Sequence, residues 1–386
     1  MANLLLALIY LAFISLGLPD SMLGSAWPKM YVEFGVPISY AGCISIIIAG
    51  CTIISSLLSD RLTRKLGTGK VTAISVVTTA VALFGFSISN SFWMLCLWAI
   101  PYGLGAGSVD AALNNYAAIH FKSRHMSWLH CMWGIGASLG PNIMGYALTG
   151  GQSWNMGYRY VSVIQIVLSA ILFISLPLWK KTTEPAVDED GHVMESKPLT
   201  FAEIFRIPGT KALVVAFFCY CAIEQTAMLW GSSYLVLCHG LTAEKAASLA
   251  AMFCTGLTVG RAVSGFVTMK LNDTQMIRLG SGIIFVGIVV MLLPLGTTTA
   301  ILGLILIGVG CAPIYPCIIH SIPNIFGVEN SQAIVGVQMA SAYTGTLAMP
   351  ALFGLLANHV SAALLPVYLM ILIVLLIVMH EKLVRK

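Results

Sequence analysis

Long apolar runs separated by short clusters of Gly, Pro and charged residues organise the chain. Each run reaches the roughly 20 residues that a helix needs to cross a hydrocarbon layer of about 30 Å, too long for a core helix or a signal-peptide core. Divided at the breaks, the pattern predicts twelve transmembrane helices, at 4–31, 37–58, 71–88, 92–119, 127–148, 158–179, 211–237, 244–268, 279–295, 300–319, 332–356 and 362–380. Several exceed a perpendicular crossing and are expected to tilt or kink. No small-residue cleavage site follows the first run, which is expected to be retained as a helix. The expected fold is an all-α membrane protein of two pseudo-symmetric six-helix bundles, 1–179 and 210–386, joined by a cytoplasmic linker at 180–209. Within the linker, the acidic run Asp188, Glu189 and Asp190 is expected to be solvated. Thr200 and Glu203 stand at capping-box spacing before Phe205 and Ile207, which predicts a short helix along the membrane surface.

Composition agrees: 58% of residues are hydrophobic and 9% charged, where water-soluble domains carry about 25% charge. Of the 20 Lys and Arg, all but Lys29, Arg159, Lys245 and Arg261 fall on one side if both termini are cytoplasmic, so basic loops set the orientation. The net charge of +5 thus reflects topology and implies no nucleic-acid partner. The ten cysteines form no CxxC pair or Cys/His array and are expected to behave as small apolar residues, without metal or cofactor. The glycine string GLGAGS, Gly103 to Ser108, lies inside a span with no strand before it and is expected to serve close helix packing, not phosphate binding.

The two halves repeat. A shift of about 204 to 205 positions carries Asp20 to Glu224, Gly103 and Gly105 to Gly308 and Gly310, and Lys65-Leu66 to Lys270-Leu271, while a shift near 209 carries Pro141 and Gly145 to Pro350 and Gly354. Duplicated transporters of this kind hold their substrate near the membrane midplane, between the repeats.

Polar residues inside the spans are the candidate chemistry, because a mid-membrane carboxylate costs roughly 2.5 to 3.5 kcal/mol on insertion scales and must face a cavity or a partner. Asp20 follows Pro19, which cannot donate to the Ser15 carbonyl, so the helix is expected to bend or open there. Gly24 and Trp27, four and seven residues on, share its face, setting an acid, a gap and an aromatic plate together. Asp110 and Asn114 share a face of the fourth span, with Asn115 partly aside. His130 and Trp133 lie together on the fifth, and Tyr220, Glu224 and Gln225 on the seventh, with Tyr315 and Gln338 as further candidates in the tenth and eleventh. Trp27, Trp133 and Tyr220 are expected to stack on a sugar-like solute; Asn114, Asn115, Gln225 and His130 would satisfy its hydroxyls. Asp20 and Asp110 are expected to exchange protons as the cleft changes between states.

The segment SLLSDRLTRKLG, Ser56 to Gly67, resembles the major facilitator superfamily signature between helices 2 and 3. Leu58, Asp60, Arg61, Arg64 and Lys65 match, and Ser56 and Thr63 replace its two glycines. The resemblance implies a loop in which Asp60 pairs with Arg64 or meets a helix end, so that Asp60, Arg61, Arg64 and Lys65 form a conformational latch. Within the superfamily the chain looks most like the fucose-permease-like sugar:proton symporters, where acids in helices 1 and 4 couple the proton; Asp20 and Asp110 hold those positions, the latter in place of the usual Glu. Such a likeness implies a monomeric secondary transporter of the plasma (cytoplasmic) membrane, with both termini cytoplasmic and a sugar-like solute, protons and the lipid bilayer as partners. Gly136, Gly140, Pro141 and Gly145 partly reproduce an antiporter signature, which keeps drug or organic-ion efflux as the alternative; a receptor or scaffold is a third reading. An enzyme is not expected, since no nucleophile and base are linked by spacing.

Overall fold

The computed structural model describes residues 2–20, 22–37, 40–180 and 199–385, and among them every regular element is helical. In chain order these are α1 (Ala2–Asp20), α2 (Met22–Phe34), α3 (Ala41–Leu66), α4 (Thr68–Ser87), α5 (Phe92–His120), α6 (Ser123–Thr149), α7 (Trp154–Ile174) and α8 (Leu176–Lys180). After the undescribed stretch come α9 (Phe201–Arg206), α10 (Thr210–His239), α11 (Ala243–Val267), α12 (Asp273–Leu292), α13 (Thr297–Phe326), α14 (Val328–His359) and α15 (Leu365–Val384). The acidic run at 188–190 lies outside the described residues.

Ten helices are long and apolar enough to cross a membrane, α1 and α2 counting as one run, Leu4–Phe34. The other two predicted positions are occupied by α6 and α11, of 27 and 25 residues. α6 is diluted by Gly, Ser, His and Asn, and the apolar part of α11 is confined to Met252–Val267. Large apolar side chains such as Trp93, Ile174 and Leu295 point outward, 75%, 80% and 71% exposed, as on a surface solvated by lipid. The short helix predicted within the linker exists as α9, with Ile204 buried and Phe201 and Phe205 exposed.

One expectation changes. The signature segment is no loop: α3 stays helical to Leu66 and turns only at Gly67, whose φ of +80° suits a residue without Cβ. No helix breaker occurs between Ser56 and Leu66, and the Asp60–Arg64 pair at i, i+4 supports the helix. The first span is described as Ala2–Asp20 and Met22–Phe34, residue 21 lying outside the described residues. Pro19 removes the donor that would have met the Ser15 carbonyl, and Gln165 of α7 replaces it, its Nε2 donating to that oxygen over 2.9 Å. Thr79 of α4 donates in turn to Gln165 Oε1, 2.8 Å away. Gln165 is buried, so Gln165→Leu strands both groups in a dry interior; unfolding in detergent should begin at lower temperature, for a loss of about 1–3 kcal/mol. An unchanged melting temperature would show that the carbonyl finds another donor.

By packing, the chain divides into two compact units, Met1–Tyr116 with Leu129–Thr200, and Ala117–Trp128 with Phe201–Lys386. In the first, Met22, Trp27, Met30, Phe86, Tyr102 and Trp154 share one apolar cluster. In the second, α13 packs along α11 and α12, and α10 along α14 and α15.

The same contacts recur in both units. A methyl on Gly103 would overlap the Ile48 carbonyl, and one on Gly308 the Phe253 carbonyl; Gly105 meets Ser75 as Gly310 meets Gly280, each partner being 205 residues further on. Gly136 lies against the Ile14 carbonyl of α1, and Gly345 against the Phe218 carbonyl of α10. The glycine string therefore serves backbone-to-backbone helix contact, as its place inside a span predicts.

Candidate functional site

Asp20 lies on α1, where it is exposed and reachable from two other helices. Tyr102 of α5 donates its hydroxyl to Oδ1 at 3.2 Å, and Trp133 of α6 its indole N–H to Oδ2 at 3.0 Å. Gly136 and Gly140 let α6 approach α1 closely enough for the indole to reach. Tyr102 was not among the expected residues; its signal was a phenol in the same span as Asp110, two turns earlier.

Asp110 belongs to a second constellation. Asn114 Nδ2 donates to Asp110 Oδ1 at 2.7 Å and to the Asp110 carbonyl at 3.0 Å, and Asn114 Oδ1 faces His130 Nε2 at 3.1 Å. An amide that gives its N–H to the carboxylate turns its oxygen to the ring, so Nε2 carries the proton and donates. Phe13 of α1 meets the His130 ring edge-on, 5.5 Å between centroids. Helical spacing places Asn114 beside Asp110, but only the packing of α6 on α5 adds His130.

The remaining expected residues are scattered over both units. Trp133 joins Asp20, whereas Trp27 is 5% exposed inside the apolar cluster that also holds Phe86, Tyr102 and Trp154, so its ring is not open to a solute. Gly24 does border open space. Asn115 is 6% exposed in the interior of the first unit, and Gln225 is half-buried on α10. Tyr220 is fully buried, its ring packed against Phe217 and Tyr315 and its hydroxyl donated to Glu224, so no face of it is open for stacking on a solute. Arg261 of α11 donates from Nη2 to Glu224 Oε2 at 3.3 Å, with side chains 5% and 18% exposed. Tyr315 donates to the Met339 sulfur at 3.4 Å. Gln338 is fully buried, and neither amide atom meets a hydrogen-bond partner among the described residues. Arg261 entered the sequence reading only as an intramembrane charge; its spacing from Glu224 gives no hint of their pairing. On α3, Arg64 Nε donates to buried Asp60 at 2.8 Å, while Arg61 and Lys65 are exposed.

A helical membrane chain with internally repeated glycine contacts and carboxylates inside its spans has the construction of a solute carrier. Residues 9–319 match the family model of the Major Facilitator Superfamily, and the chain belongs to that family of membrane transporters; it is a multi-pass membrane protein that handles a small molecule and is not an enzyme. It is 23% identical to the yeast (Saccharomyces cerevisiae) "Bypass of stop codon protein 6", covering 94% of this chain and 79% of that one. Among solved structures it resembles FucP in the outward conformation, with a TM-score of 0.76 at 15% identity and 98% of both chains covered. A second FucP structure, described as the E. coli fucose:proton symporter, gives 0.74 at 15% identity over 99% and 98%. The human organic anion transporter MFSD10 gives 0.73 at 12% identity over 98% of both chains.

Proposed function

We propose that the chain is a proton-coupled symporter of a sugar-like small polar solute, working by alternating access. In this reading twelve spans form two bundles, 1–179 and 210–386, joined by the linker 180–209, with both termini cytoplasmic and the monomer in the plasma membrane as the working unit. The observation that carries it is Asp20, an acid whose two oxygens are met by neutral donors, Tyr102 and Trp133, and by no cation among the described residues. A carboxylate accepts both bonds; a proton arriving on one oxygen displaces or reverses one of them. Proton and solute are coupled if both favour the same change of state, which is all that coupling requires.

Asp110 adds a second device. With Asp110 ionised, Asn114 gives its N–H to the acid and its oxygen to His130. Once Asp110 is protonated it donates to the Asn114 oxygen, the amide turns over, and His130 Nε2 must accept. The turned amide forfeits its bond to the Asp110 carbonyl. Asn114 thereby transmits the state of Asp110 to His130, and both side chains act here as positioning groups for the proton. Of the residues expected to hold the solute, Trp133 and Gln225 are half-buried and keep surface for one, and Asp60 with Arg64 is assigned to the latch. Pairing of Glu224 with Arg261 weighs against efflux of a cation, since the extra acid that would receive it is already neutralised.

Proteoliposomes loaded with a neutral monosaccharide test the reading by counterflow, a panel of sugars being screened first by thermal shift. An inward proton gradient should drive accumulation with protons entering alongside the sugar. Proton movement opposite to the solute establishes antiport instead, and counterflow of organic cations or anions but of no sugar overturns the substrate class.

A further inference from the structure

Away from Asp20 and Asp110, a compact polar cluster joins three chain segments of the second unit. His320, on α13, points Nδ1 at Asp273 Oδ2 over 2.6 Å and Nε2 at the Phe121 carbonyl over 3.0 Å. Ser123 donates to the other oxygen of Asp273 at 2.6 Å. Phe121 and Ser123 belong to Ala117–Trp128, the join of α5 and α6, which packs with the second unit.

The protonation state is dictated by the partners. A backbone carbonyl only accepts, so Nε2 carries hydrogen. Nδ1 faces a carboxylate oxygen at a distance where two lone pairs would repel, so a proton lies between them as well. Two features keep that proton on the ring. Asp273 is the first residue of α12, where the helix dipole favours a negative charge, and its other oxygen already accepts from Ser123. We propose that His320 with Asp273 is a proton-binding site distinct from the two intramembrane acids, and that its proton holds residues 117–128 onto α12 and α13.

When the proton leaves Nδ1, the bare nitrogen and the carboxylate repel and the ring turns, releasing the Phe121 carbonyl with it. Other titratable groups on the surrounding elements are Cys311, Tyr315 and Cys317 on α13, the last 3.7 Å from the Ser123 hydroxyl, Arg278 on α12, where it pairs with Glu381, Lys270 before α12, Glu329 at the start of α14, and His120, Lys122, Arg124 and His125 on the segment itself. Arg124 is turned to His125, Nε to Nε2 at 3.4 Å, and Asp273 is the one carboxylate within hydrogen-bond reach of the His320 ring among the described residues. The site is indifferent to which solute is carried and in which direction, so it can fail while the symport reading stands.

Two measurements on the full chain in detergent test it. Nitrogen-15 spectra of histidine-labelled protein, with the His320 signals assigned from their loss in His320→Gln, should show both ring nitrogens protonated at neutral pH, and one in Asp273→Asn. A bare ring nitrogen in the unsubstituted chain at that pH overturns the proposal. Amide exchange over 117–128, corrected for the intrinsic pH dependence, should accelerate at least roughly tenfold as the site loses its proton, the scale of one charge-assisted hydrogen bond. His320→Gln, which can still donate to the Phe121 carbonyl but has no proton to lose, should give a flat profile. The same pH profile in both proteins also overturns it.

Discussion

An Asp110→Asn variant is expected to bind and exchange its solute but to lose concentrative uptake, the accumulation ratio falling to about one, the value for equilibration without a coupled ion. The substitution is nearly isosteric, and a side-chain amide oxygen still accepts from Asn114 Nδ2, so the contact at 2.7 Å survives. What disappears is the exchangeable proton and, with it, the reason for Asn114 to turn over. Counterflow needs neither and should remain within about twofold, since the bond from Asn114 is kept. Concentrative uptake at the unsubstituted level would remove Asp110 from coupling and leave Asp20 alone in the role. Loss of counterflow as well would assign Asp110 to binding or to the fold.

Arg261→Met is expected to destabilise the second unit by about 3–5 kcal/mol, the cost of leaving a buried charge without its partner. The pair sits in the interior of α10 and α11, with the guanidinium 5% exposed and the carboxylate 18%, so solvent screens it little. Tyr220 also donates to Glu224 but brings no charge. Adding Glu224→Gln should recover most of the loss, because an amide with a phenol partner is neutral and an apolar side chain replaces a desolvated cation. Thermal unfolding of the single and double variants in one detergent decides the matter. A double variant no more stable than Arg261→Met would show that the arginine acts through packing or another partner and not as the counter-charge of Glu224.

Both expectations depend on pairings that differ in how far the sequence reveals them. Asp110 and Asn114 are four apart on a helix, so their contact is a local consequence of the backbone. The same holds for Asp60 with Arg64 and for Tyr220 with Glu224. Glu224 and Arg261 are 37 residues apart on different helices, and Asp20 meets Tyr102 and Trp133 across 82 and 113. Local spacing even misleads in one place. The signature segment reads as a loop because its charges mark a membrane boundary, yet charged residues tolerate helix well, and only Gly67 breaks it.

By itself, the amino-acid sequence determined that the chain crosses a membrane repeatedly in helices, that its halves repeat, where Pro19 frees a carbonyl, and which polar residues lie inside apolar runs. These features are imposed by the bilayer, which fixes span length and forces every backbone group to find its partner along the chain. Only the tertiary structure decided who meets whom: Gln165 supplying the donor Pro19 lacks, Tyr102 and Trp133 on Asp20, His130 on Asn114, Arg261 on Glu224, and His320 between Asp273 and the Phe121 carbonyl. Between helices, a polar group in an apolar surrounding takes whichever partner the packing brings within about 3 Å, and that is set by glycine contacts and helix rotation, which no spacing along one segment encodes.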